Sequence, residues 1–211
     1  KGGRGGTFQV AFDRMKYWRD VENIWLDGVL SSTWEWTYNR IESVDLANRH
    51  ITLSYPELSG ICHGASVRLP HFYFENIPEE IDEIGEYWID RKNGLIYYLG
   101  DEDLSRLKMT TLESPILVVK DTSNISIEGI EFSFGRNHGI VINKCEEITI
   151  NKCRLSNFTK GGIDASGKSI RILDSHIHGV GAFGIRLRGG NLSTLVPADN
   201  EVINCHIHDF G

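Results

Sequence analysis

Three Gly-Ile pairs, Gly139-Ile140, Gly162-Ile163 and Gly184-Ile185, recur 23 and 22 residues apart in the C-terminal half of the chain. A repeat of that length is too short to bury its own apolar face, so it must stack on its neighbours. Aligning the segments on these pairs puts Ile127, Ile150, Ile172 and Val202 in one column. Phe132, Leu155, Ile177 and Ile207 form a second, and Ile130, Cys153, Ser175 and Cys205 a third. The register survives an insertion at about residues 191–199 in the last turn.

Each repeat holds short alternating runs rich in Ile, Val and Thr, such as Ile148-Thr149-Ile150 and Ile170-Arg171-Ile172. Such runs are strands rather than helices, with two side chains on one face and one on the other. Strands in successive turns lie about 4.8 Å apart, so residues of one column touch and the core grows turn by turn. The expected fold is therefore all-β: a parallel β-helix of about four rungs over residues 112–211, its first rung starting at Pro115-Ile116-Leu117-Val118. The Leu-x-x-Leu-x-Leu and Asn signature of leucine-rich repeats is missing.

Residues 1–111 lack this beat and carry all five tryptophans, Trp18, Trp25, Trp34, Trp36 and Trp88. Short alternating runs at 38–44, 50–54, 67–74, 87–90 and 95–99 predict a small antiparallel β module. Asn93-Gly94 supplies the turn of a hairpin, and Pro78-Glu79-Glu80 starts one short helical turn. Residues 100–111 are read as the bridge to the coil.

The net charge is −7, and residues 1–111 hold 12 basic against 18 acidic side chains while residues 112–211 hold 10 against 11. Neither half offers the basic face that phosphate neutralisation demands, which argues against a nucleic-acid partner. No stretch approaches the ~20 apolar residues of a membrane span. Cys153 and Cys205 share a column two turns apart, too far for a disulfide. Cys62 and Cys145 show no ligand spacing, and all four cysteines are read as reduced packing residues.

The segment 73–99, with its pattern Gly85-Glu86-Tyr87-Trp88-x-Asp90-Arg91-x-x-Gly94, followed by the repeats and closing on Asn204-Cys205-His206-Ile207-His208-Asp209, resembles large bacterial right-handed parallel β-helix proteins, many of them carbohydrate-active. It is similar to β-helical glycoside hydrolases in which a small β module precedes or interrupts the coil. The resemblance implies a secreted or periplasmic protein whose partner is a polysaccharide or oligosaccharide, with further rungs of the same parent chain beyond this segment. It implies no cofactor, and it carries no catalytic motif onto particular residues.

Function is expected on the outward columns. One reads Val141, Asp164, Arg186, and makes Asp164 the candidate acid or base with Arg186 as a substrate clamp; a plain ion pair between turns is the competing reading. A second reads Glu131, Arg154, His176, His206, and a third Ser133, Ser156, His178, His208. Together they gather four imidazoles into a patch about 4.8 Å across turns and about 6.8 Å along the strand. Arg154, His176 and His206 are candidate substrate contacts, and no metal is assigned because no carboxylate is placed to complete a site. Thr149, Arg171 and Glu201 form a fourth column, read as another ion pair.

Glycoside hydrolysis needs two carboxyl groups about 5 to 9.5 Å apart. Asp164, Asp174, Glu201 and Asp209 fall in different columns, so the pair is expected in a loop excursion or past Gly211. A glycan-binding or scaffold module and a polysaccharide lyase are the alternatives to a hydrolase. Trp34, Trp36 and Tyr38, at alternate positions, would share a strand face on which a pyranose could stack, although core packing is the first expectation for them.

Overall fold

The computed structural model describes residues 6–31, 34–61 and 71–211. Cys62 and the first part of the strand expected over 67–74 lie outside these. The chain divides into two compact units, Lys1–Asp103 and Leu104–Gly211.

In the first unit β1 (Thr7–Gln9), β2 (Trp25–Val29), β3 (Thr37–Asp45), β4 (His50–Leu53) and β5 (His71–Glu75) make an antiparallel sheet in the order β1-β4-β3-β2-β5. Alternation along β3 sends Thr37, Asn39 and Ile41 inward and Tyr38 and Arg40 outward. Ile24, Leu26, Leu30, Ile41, Ile51 and Leu53 are almost fully buried and form the core. The buried Asn39 is satisfied by Tyr55 and Glu57, as a polar group under a sheet must be. A hairpin of β6 (Tyr87–Asp90) and β7 (Leu95–Tyr98) turns where the sequence marked it. There the Asp90 carboxylate accepts from the Lys92 and Asn93 N–H groups, and Gly94 takes φ 68°.

The second unit is the coil. Its strands are β8 (Leu117–Lys120), β9 (Ser123–Glu128), β10 (Glu131–Gly135), β11 (Ile140–Asn151), β12 (Arg154–Phe158), β13 (Gly161–Leu173), β14 (His176–Val180), β15 (Phe183–Arg188), β16 (Glu201–Ile203) and β17 (His206–Phe210). Every pairing among them is parallel, with β10-β12-β14-β17 on one face. The second sheet runs β8 and β9, then β11, then β13, then β15 and β16. The registers reproduce the expected columns, including Ile127-Ile150-Ile172-Val202 and Phe132-Leu155-Ile177-Ile207. Residues 104–111, read as a bridge, cluster with the coil. Lys108 lies 4.9 Å over the Phe134 ring there, and the Arg136 N–H donates to Leu112.

The Gly-Ile beat has a steric cause. A Cβ on Gly139 would stand 2.9 Å from the Gly162 carbonyl oxygen, and one on Gly162 would stand 2.6 Å from that of Gly184. Successive turns therefore approach through a glycine column, while the neighbouring Ile140 and Ile163 are fully buried.

The corners were not read in advance. Four sets of residues hold left-handed backbone in register: Asp121 with Lys144; Asn124, Glu147, Ser169 and Asp199; Gly129, Lys152, Asp174 and Asn204; Phe134, Asn157, Gly179 and Asp209. Asn, Asp and Gly recur in these sets because they tolerate that conformation best. Beside one corner, Cys153 and Cys205 point thiols at carbonyls of their own and the previous turn, and the Ser175 hydroxyl donates to Leu173. Among the described residues the cysteines are unpaired thiols.

Candidate functional site

Asp164 projects from the first part of β13 with Arg186 beside it on β15, as the column predicts. It is nonetheless buried, and both carboxylate oxygens are engaged. Arg186 donates at 3.2 and 2.5 Å, and Arg188, which the column reading did not include, donates at 2.8 Å to Oδ1. Arg186 also lies 4.2 Å over the Phe183 ring. The Arg186 guanidinium holds the Asp164 carboxyl below the usual range against the opposing effect of burial. A carboxylate kept ionised and doubly clamped is poorly placed to donate a proton, and the arrangement acts as a brace between turns.

A group whose folded pKa is depressed contributes stability that is complete above its unfolded pKa, about 4, and is lost as pH falls through the lower folded value. The urea midpoint of the native chain should therefore exceed that of Asp164→Asn at pH 6, and the difference should shrink as the pH falls from about 4 through the depressed folded value. A constant difference across that range would show that Asp164 titrates alike in both states.

The four imidazoles converge more closely than strand geometry requires. His176 stacks on His206 at 4.9 Å and His178 on His208 at 5.2 Å across turns, close to the expected spacing. Along the strands the ring centroids are 4.6 and 4.5 Å apart, not about 6.8 Å, because the side chains tilt toward each other. The Arg154 guanidinium stands 3.3 Å from His176 Nδ1 and has no lone pair, so Nδ1 accepts and the ring proton sits on Nε2. That proton faces His208 Nε2 at 2.8 Å, and His208 Nδ1 lies 2.9 Å from the Asp209 carboxylate. Asp209 thus supplies a carboxylate that the column reading placed elsewhere. Desolvation first, then His178 and Arg154, push the His176 pKa down. Glu201 pairs with Arg171 at 3.0 Å, as expected.

The largest departure lies in the first unit. Trp34, Trp36 and Tyr38 are exposed by 77, 62 and 58%, so the expectation of core packing fails for all three. Strand β3 begins only at Thr37, and the core is filled without these three, by aliphatic side chains together with Trp18 and a set of phenylalanines. On the outer face Trp25 and Tyr38 stack at 4.7 Å with a 13° tilt. Asp27 accepts from the Tyr73 hydroxyl at 2.6 Å and from the Trp36 indole N–H. Trp25, Tyr38, Tyr73, Glu75, Tyr87 and Arg91 line a cleft of about 440 Å³. Burial pushes the Tyr38 hydroxyl up to about 12, and the hydrogen bond to Asp27 does the same for Tyr73, so both phenols stay neutral donors. Burial raises the Glu75 carboxyl as well, and the charge of Asp27 adds to it. No sequence spacing shows this face, because it depends on β2 pairing with β3 and with the distant β5.

Residues 115–211 match the family model described as the right handed beta helix region. The coil is a right-handed parallel β-helix. No curated protein and no solved structure matches the chain. Within this β-helix protein no helix among the described residues is long and apolar enough to cross a membrane.

Proposed function

We propose that this β-helix protein recognises polysaccharide, and that the aromatic cleft of its first unit is where it does so. The observation that carries the reading is the cleft itself: the exposed ring of Tyr38 stacked on the half-buried Trp25, beside neutral phenols and the carboxyl of Glu75. A pyranose offers an apolar face to such rings and hydroxyls to such polar groups. Glu75, Glu80 and Glu86 outnumber Arg91 around the cleft, which favours a neutral glycan over a polyuronate and so weighs against a lyase. The β-helix scaffold is consistent with that setting, as is export to where polysaccharide is met.

Glycoside hydrolysis is the second reading, and one observation favours it. Asp27 and Glu75 lie diagonally across paired strands, since Asp27 faces Tyr73 and Trp25 faces Glu75. Diagonal neighbours on one sheet face lie within reach of each other's long side chains, and the Asp27 charge acts on Glu75, so one face carries the two carboxyl groups that glycoside hydrolysis needs. Glu75, with its raised pKa, would be the acid. On this reading Asp164, Arg186, Arg154, His176 and His206 belong to the coil's own architecture.

Affinity electrophoresis of the chain through gels cast with neutral polysaccharides and with polyuronates tests the proposal, with released reducing ends and new double-bond absorbance measured alongside. Retardation by a neutral polysaccharide is expected. Reducing ends that disappear in Glu75→Gln would add hydrolysis to recognition. Free migration through every neutral gel would sink the proposal.

A further inference from the structure

The ligand atoms of His176, His206 and His208, all in the second unit, lie within 4.8 Å of one another. We propose that these three imidazoles form a binding site for a borderline divalent transition-metal ion, of which Zn²⁺ is the type.

Three features of the patch support this. The nitrogens are close to the right separation: imidazoles bound to zinc at 2.0–2.1 Å stand about 3.3 Å apart in a tetrahedron. The His176 and His208 Nε2 atoms are now 2.8 Å apart, and no pair of the three exceeds 4.8 Å. His206 is exposed and the other two are partly so, which leaves their rings free to pivot over that difference.

Orientation is also in place. Metal-bound imidazoles characteristically present their second ring nitrogen to a carboxylate, which fixes the tautomer and strengthens the ligand. The Asp209 carboxylate does this to His208 Nδ1 at 2.9 Å and leaves its Nε2 lone pair aimed into the cluster.

The donor set selects the metal class. Three imidazoles suit zinc, copper or nickel and offer nothing to calcium or magnesium, which demand oxygen ligands. The ion would take the place of the proton that His176 Nε2 shares with His208; that proton moves to His176 Nδ1, which gives up its contact with Arg154, so the ring binds as a neutral imidazole. His178 stacks on His208 at 5.2 Å, and water would complete the coordination of the ion.

Equilibrium dialysis of the 211-residue chain against Zn²⁺, with metal content measured after exchange into metal-free buffer, provides the test. One bound equivalent is expected, with a rise in the thermal midpoint because the ion binds the folded state alone. His176→Gln and His208→Gln should each weaken binding at least tenfold, and Asp209→Asn by about 10-fold or more through the lost carboxylate contact to His208 Nδ1. Circular dichroism of each variant separates lost ligands from lost fold. Cobalt substitution read by absorption separates imidazole from thiolate ligation, since Cys145, Cys153 and Cys205 are the free thiols in this unit. Failure to retain an equivalent of Zn²⁺, equal retention by a natively folded His176→Gln/His208→Gln variant, or a thiolate-to-cobalt band would overturn the proposal.

Discussion

Gly162→Val should lower the thermal midpoint by about 10 °C. A Cβ at position 162 meets the Gly184 carbonyl oxygen at 2.6 Å and Ile177 Cγ2 at 2.5 Å, and valine adds two further methyls in the same space. The oxygen belongs to the backbone of the next turn and cannot swing aside as a side chain would. Overpacking of this kind costs about 3 kcal/mol or more when backbone must move. Each kcal/mol shifts the midpoint of a chain this size by roughly 2–4 °C. Gly129→Asn is the contrast, because Gly129 has φ 68° with nothing near its Cβ position and occupies a left-handed corner that asparagine accepts. Calorimetry on the pair should show a large loss for the first and little change for the second. Equal losses would mean that the glycine column serves backbone conformation and not the approach of turns.

Truncation of Tyr38 should cost the chain most of its hold on glycan. Tyr38 presents the exposed ring of the Trp25 stack, and its hydroxyl lies beside Glu75. Removing an aromatic anchor from the centre of a binding surface costs about 2 kcal/mol or more, which corresponds to roughly 30-fold in the dissociation constant. Tyr38→Ala should therefore migrate almost freely in a gel that retards the native chain. Because Tyr38 is 58% exposed, its removal should leave the thermal midpoint within a few degrees of the native value. Trp34→Ala serves as the comparison: that indole is 77% exposed and is not among the residues lining the cleft, so its loss should weaken retention far less. If Tyr38→Ala binds as the native chain does, the cleft is not where polysaccharide sits.

The coil was legible because its information is translational. Once Gly139-Ile140, Gly162-Ile163 and Gly184-Ile185 set the step, every residue one step away had to be its neighbour, and Asp164 beside Arg186 and His176 beside His206 followed. Side-chain direction was beyond that argument. The tilt that brings His176 to His208, the Asp209 carboxylate behind it and the second arginine on Asp164 depend on rotamers and on the local turn, which column position does not encode. The first unit has no repeat to exploit. Its outer face is assembled from β2, β3 and β5, separated by long stretches of chain, so alternation at Trp34, Trp36 and Tyr38 could not tell an inner face from an outer one.

The registered left-handed corners also govern how such a protein can change length. Residues 191–198 are inserted between Gly190 at φ 73° and Asp199 at φ 53°, yet Arg171 still faces Glu201 and Ile172 still faces Val202. Added sequence is expelled sideways as a loop at a vertex and leaves the winding intact. Duplication or excision of one full revolution would likewise return each vertex to its place above the last, so a lineage built this way can vary its height and decorate its edges independently.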